Sequence, residues 1–170
     1  MLAEEVVLEE AGRCGCLPPA FSFEEAATLP CAGVTAWVGL VVNGGLRAGE
    51  AVLAMGTGGP SVFALQIAKL WRARAILTAR RDEKLARGRT LGADATTNYR
   101  SEPGWDARAR ALTGGQGVDH VLEAVGGATQ LRSLRALRDG GHLSVVGLLG
   151  GSRGGLAQWP RDPRRLGLTG

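Results

Sequence analysis

The chain has 170 residues, enough to bury one good core, so a single domain is the default. Hydrophobic residues make up 45% and charged residues 21%, a globular composition, and no run of about 18 apolar residues suggests a membrane span. The formal net charge of +4 would fit a nucleic-acid partner, but Arg153, Arg161, Arg164 and Arg165, set against Asp162, place three of those charges after Ser152. The remainder is nearly neutral, which disfavours nucleic acid.

The first residues, Met1-Leu2-Ala3-Glu4-Glu5, carry acids where a secretory leader has basic residues. Cys14 and Cys16 have no second pair at metal-ligand spacing, and three cysteines in all suit a reducing cytoplasm. Ser22 followed by Glu25 reads as a capping box opening a short helix, which Pro30 is expected to stop. A second helix is expected from Thr35 to Val42, ended by Asn43-Gly44-Gly45.

The most telling stretch follows. Ala51-Val52-Leu53-Ala54-Met55 is an apolar strand, Gly56-Thr57-Gly58-Gly59-Pro60-Ser61 a glycine turn, and Val62 to Trp71 a helix. In that setting a glycine turn suggests dinucleotide binding. Gly56 permits the tight turn, Gly58 lets the backbone approach a pyrophosphate, and the helix start offers N–H groups to it. Ser61 stands where a small residue is needed for close helix–strand packing, while Pro60 removes one amide donor. Phe63, Ile67, Leu70 and Trp71 are expected to form the helix's apolar stripe.

Beyond the turn, strands and helices alternate. Strands are expected at 73–79, 95–99, 117–124 and 142–148, with helices at 82–91, 105–112 and 129–137. Asp82 is expected to cap its helix and Gly92 to close it; Gly88 inside it should cost about 1 kcal/mol relative to alanine. Five strands separated by helices imply an α/β fold with a doubly wound parallel sheet of Rossmann type. An NAD-binding chain usually carries an acid at the end of the second strand for the ribose 2′-hydroxyl. Here Arg80 and Arg81 stand there instead, which favours the 2′-phosphate of NADP(H) over NAD(H).

Several motifs in order, Cys31-Ala32-Gly33-Val34-Thr35-Ala36-Trp37, Gly56-Thr57-Gly58-Gly59, Asp82-Glu83-Lys84-Leu85, Leu91-Gly92-Ala93-Asp94, Gly114-Gly115-Gln116-Gly117-Val118-Asp119 and Gly140-Gly141-His142, resemble the medium-chain dehydrogenase/reductases. The branch it is most similar to is the quinone-oxidoreductase-like and zinc-independent alcohol-dehydrogenase-like one. The resemblance implies that Gly56, Thr57, Gly58, Gly59 and Ser61 hold the pyrophosphate. It implies that Arg80, Arg81, Lys84 and Tyr99 surround the 2′-phosphate and adenine, and that Val125, Gly126, Gly147 and Leu148 flank the nicotinamide. Cys31 aligns with a catalytic-zinc ligand of another branch, but no zinc is expected here.

The resemblance also implies three regions: 1–30, a remnant of the catalytic-domain junction; 31–151, the NAD(P)-binding domain; and 152–170, a basic, disordered tail, with the family's sixth strand missing. The expected function is a cytoplasmic oxidoreductase domain for hydride transfer between NADPH and a small carbonyl, quinone, enone or alcohol, with poor turnover by the chain alone. No membrane partner is expected, and a homo-oligomer is allowed. The alternative is a non-catalytic nucleotide-binding or interaction fragment with a basic tail.

Overall fold

The computed structural model describes residues 17–151 and a last strand at 166–169. Its sheet is organised around β1 (Ala51–Met55), apolar at every position and buried along its whole length. Such a strand needs cover on both faces, which is the situation of a central strand in a parallel sheet. β1 lies between β2 (Arg74–Ala79) and β4 (Val118–Glu123); β3 (Ala95–Asn98) extends one side, β5 (Leu137–Val145) and β6 (Leu166–Thr169) the other. The order is β3-β2-β1-β4-β5-β6 and every pair is parallel. This is the doubly wound α/β sheet expected from the alternating pattern.

Among the described residues five helices cover it: α1 (Phe23–Asn43), α2 (Gly59–Leu70), α3 (Asp82–Thr90), α4 (Trp105–Ala111) and α5 (Ala128–Ala136). The two-residue period of β1 divides the core between its faces. Val52 and Ala54 pack with Ala36 and Leu40 of α1 and Ala64 and Ala68 of α2. Leu53 and Met55 pack with Trp105 of α4, Leu134 of α5 and Leu143 of β5.

Local signals were reliable where nothing distant competed with them. The capping box is formed: the Glu25 amide donates to Ser22 Oγ at 3.2 Å and the Ser22 amide to Glu25 Oε2 at 3.0 Å. Pro30, however, does not stop the helix. The chain passes through it in a wider, π-type turn at Leu29–Gly33 and continues to Asn43. Widening relieves the clash between the proline ring and the preceding turn and accommodates the missing N–H. The joined helix has 21 residues and is long and apolar enough, by length and composition, to cross a membrane. Its sequence is no continuous apolar run, since Glu24, Glu25, Thr28 and Pro30 interrupt it. In the fold, Ala36, Gly39 and Leu40 of this helix are buried, with Gly39 close against Leu122 and Ser144.

Three further expectations change. The buried face of α2 is Ser61, Ala64, Leu65, Ile67 and Ala68, whereas Leu70 is 72% exposed. Small residues let the helix lie close to the sheet; Phe63 and Trp71 pack at its flank, where Trp71 meets Trp37 of α1 edge to face at 5.1 Å. Gly88 is no mere propensity defect: a Cβ there would overlap Leu77 Cδ2 of β2, so α3 approaches the sheet through this glycine. Finally, a sixth strand is present. Leu166–Thr169, within the segment expected to be disordered, pairs in parallel with Gly141–Ser144 of β5. The open edge of β5 provides the unpaired backbone groups that recruit it; four residues among arginines, glycines and prolines were too short a pattern to read. The rest of that tail, and Cys14 and Cys16, lie outside the described residues.

Candidate dinucleotide site

In this strand order the direction of winding reverses between β1 and β4, and a crevice opens at their carboxyl ends. A cleft of about 740 Å³ occupies that position, walled by the turn after β1, the ends of β2 and β3, and the loops after β4 and β5. Gly56 adopts φ +85°, a left-handed conformation that glycine enters without strain, and its amide donates to Thr78 O at 3.0 Å. Gly58 is the N-cap of α2, with no atom within 4 Å of where its Cβ would stand. The glycine thus leaves room for a ligand beside the positive end of a 12-residue helix. Thr57 lines the same space, and Pro60 occupies the first turn, where its missing N–H removes one donor from the cleft-facing end of the helix.

Ser61 is placed differently from the other turn residues. It is fully buried and its hydroxyl donates to Met55 O at 2.8 Å, binding the start of α2 to the end of β1. Gly59 also serves packing, since a Cβ there would lie 2.8 Å from Ala32 Cβ of α1.

At the end of β2, Arg80, Arg81 and Lys84 are exposed and line the cleft together with half-buried Tyr99. None of the three cations is ion-paired among the described residues. Asp82 does not cap α3: the N-cap is Arg81, which makes no side-chain capping bond, and Asp82 is the first helical residue. Its Oδ1 instead accepts from Asn98 Nδ2 at 2.8 Å. Asn98 Oδ1 in turn accepts the Arg100 amide at 3.0 Å, so this bridge fixes the turn that carries Tyr99 beside α3.

On the other wall the loops after β4 and β5 touch through backbone. Gly126 and Gly127 have φ +78° and +60°, and Cβ atoms there would lie 2.8 Å from Leu148 Cα and 2.6 Å from Gly150 O. The Gly150 amide donates to Val125 O at 2.6 Å. Val125 and Gly147 face the cleft; Gly126 is buried behind it, and Leu148 is exposed without lining it.

The structure therefore gathers Gly56, Thr57, Gly58, Arg80, Arg81, Lys84, Tyr99, Val125 and Gly147 around one space and sets Gly59, Ser61, Gly126 and Leu148 behind it or beside it. Sequence reasoning missed Met55, Ala79, Ala124, Val146, Leu149 and Gly150, which also line the cleft. It also missed Glu123, whose signal was legible: a lone acid at the end of an otherwise apolar strand end, Val121-Leu122-Glu123. Cys31 is exposed and free, and among the described residues no group of three His, Cys, Asp or Glu side chains comes together.

A parallel sheet in this order, with a glycine turn at its switch point, defines a Rossmann-type nucleotide-binding domain. Residues 61–161 match the family described as zinc-binding dehydrogenase. The chain belongs to that family, within the medium-chain dehydrogenase/reductases. Over 134 residues it is 43% identical to a zinc-type alcohol dehydrogenase-like protein of Schizosaccharomyces pombe, a match covering 78% of this chain and 39% of that one. A solved NAD-dependent alcohol dehydrogenase matches with TM-score 0.76 and 39% identity, covering 87% of this chain and 43% of that one. A mycobacterial protein solved in complex with NADPH matches with TM-score 0.78 and 32% identity, covering 90% and 48%. The chain thus spans less than half the length of these relatives.

Proposed function

We propose that this chain binds NADP(H) as the cofactor domain of an oxidoreductase acting on a small carbonyl, quinone, enone or alcohol, in the cytoplasm. The observation that carries the reading is the set Arg80, Arg81 and Lys84, unpaired among the described residues and lining one cleft with the glycine turn. The residues present fit the group: Gly58 leaves open space at a helix start, and the neighbouring acid, Asp82, is engaged by Asn98. The NADPH-bound mycobacterial relative supports the preference; the NAD-dependent relative of similar fold makes it worth testing directly.

When bound, the cofactor supplies the hydride chemistry. The chain's own residues bind and orient it. The turn at Gly56–Gly58 and the start of α2 hold the pyrophosphate, Arg80, Arg81 and Lys84 the 2′-phosphate, and Tyr99 the adenine. Val125, Gly126, Gly147 and Leu148, with the two loops they belong to, flank the nicotinamide end. Pro60 weakens phosphate binding without abolishing it, because other donors of the turn remain.

A calorimetric titration with NADPH and NADH side by side tests this. NADPH should bind at least tenfold tighter, and the double variant Arg80→Ala/Arg81→Ala should remove most of that margin, since hydrogen bonds to charged groups contribute about 1.5–3 kcal/mol. Binding of neither nucleotide would overturn the cofactor reading. Tighter binding of NADH would overturn the argument from the arginines and leave the cleft assignment standing.

A further inference from the structure

Glu123 is the last residue of β4 and is 0% exposed. A carboxylate is retained in such a place only where donors surround it. Its Oε1 accepts the amides of Val125 at 2.9 Å and Gly126 at 3.0 Å, and the Thr129 hydroxyl lies 3.1 Å away. Its Oε2 accepts from the Ser133 hydroxyl. No lysine or arginine is among these partners: two come from the loop that walls the cleft and two from α5.

Two successive N–H groups pointing into one concavity form a nest for an anion. Here the chain fills that nest with its own carboxylate. The loop reaches this conformation through Gly126 and Gly127, both at positive φ. With its amides turned inward to Glu123, Val125 presents its carbonyl to the Gly150 amide, and the second loop is held by the first. A single side chain outside the cleft therefore sets both loops at one end of it.

We propose that Glu123 is a positioning residue for the nicotinamide end of the cofactor cleft, acting through the loops at 124–127 and 147–150 without touching the ligand. This rests on the reading of the cleft as an NADP(H) site. The other end, built by α3 and the turn after β3, has no bond to Glu123.

That division supplies the test. Adenosine 2′,5′-bisphosphate carries the 2′-phosphate end of the cofactor and no nicotinamide, so it probes one end alone. Glu123→Gln keeps the size of the side chain but replaces one accepting oxygen with an NH2 group. In the full chain this variant should bind the bisphosphate within about twofold of the parent and NADPH at least about tenfold more weakly. Hydrogen exchange at the Val125 and Gly126 amides should accelerate in parallel. Equal weakening of both ligands, or of neither, would overturn the proposal by showing a structural role or none. A parent chain that binds neither ligand would instead overturn the cofactor reading on which it stands. Should Glu123→Gln lose its cooperative melt, Thr129→Val removes the one hydroxyl that lies between Glu123 Oε1, at 3.1 Å, and Gly126 O, at 2.9 Å, on the half-buried side of the same loop. It should weaken NADPH about threefold with the bisphosphate unchanged, and NADPH binding equal to the parent's would overturn the proposal.

Discussion

Replacing Gly147 by alanine would put a Cβ 2.5 Å from Ala124 O and 3.2 Å from its carbonyl carbon. A carbon and an oxygen in ordinary contact stay about 3.3 Å apart, so the two loops must separate by roughly 0.8 Å. The obstacle is backbone, and no change of rotamer relieves it. The Gly150–Val125 hydrogen bond, 2.6 Å long, spans the same gap and would be stretched toward the limit of useful geometry. Overpacking costs about 1–3 kcal/mol and a lost hydrogen bond about 1 kcal/mol more. At about 2–4 °C per kcal/mol for a chain of this size, the melting midpoint should fall by roughly 5–15 °C. Gly58→Ala is the matched control. Its φ is −75° and nothing lies within 4 Å of the added methyl. Alanine is the poorer N-cap by about 1 kcal/mol, so that variant should melt no more than about 4 °C below the parent. Its methyl would nonetheless stand in the open space beside the start of α2, where the proposed function places the pyrophosphate, and NADPH binding should weaken at least tenfold. Thermal melts and calorimetric titration of both variants decide the matter. A Gly147→Ala chain melting within about 2 °C of the parent would refute the contact between the loops. A Gly58→Ala chain with undiminished NADPH affinity would refute the use of that space.

Ser61→Ala should cost about 1–3 kcal/mol in urea unfolding, because Met55 O loses its buried donor, while NADPH affinity stays the same. Unchanged stability with weakened NADPH binding would return the hydroxyl to the phosphate site. The pH dependence of stability has two separate windows. Burial, and then the nearby His120, hold His142 below its ordinary value of 6.5. The unfolded chain therefore takes up that proton first, and stability present above about pH 6.5 should decline as pH falls toward the folded value. For Asp94, burial works to raise the carboxyl, but the Ala75 amide and the Lys69 and Arg74 charges outweigh it and keep it below 3.8. Its contribution should persist down to about pH 4 and be lost only as pH falls through the depressed value. Melting curves from pH 8 to pH 3 should show both declines, with His142→Gln flattening the upper one; a flat upper window in the parent would refute the assignment to His142.

The parts of the fold legible in the sequence are those whose cause is local. β1 begins and ends where the apolar run does because every residue of that run is needed to cover a central strand, and Gly56 ends it because only a left-handed residue can make the turn. Five strands and the glycine turn follow from such signals, and with them most of the cleft. What was not legible depends on partners far away in the chain. Gly88 looks like a weak helix residue until Leu77 is placed beside it. Pro30 looks like a stop until the same helix is seen to continue in wider turns over the sheet. Ser61 reads by position as a small packing residue and by resemblance as a phosphate-binding one; buried at the start of α2, it bonds its hydroxyl to Met55 O.

Asp82 and Glu123 show why counting charges near a glycine turn is a poor guide to the ligand. Both are acids within reach of cleft-forming elements, yet both are committed to the protein. Asp82 Oδ1 is engaged by Asn98 at the rim, and the Glu123 carboxylate is enclosed by two amides and two hydroxyls behind the wall. The cations Arg80, Arg81 and Lys84 have no such commitment among the described residues. Of these two acids Glu123 is buried away from the rim, whereas Arg80, Arg81 and Lys84 are exposed on it. A ligand with an extra phosphate at that rim gains from uncommitted guanidinium groups. Asp82, in contrast, is tethered through Oδ1 to Asn98, which fixes its side chain toward the turn after β3.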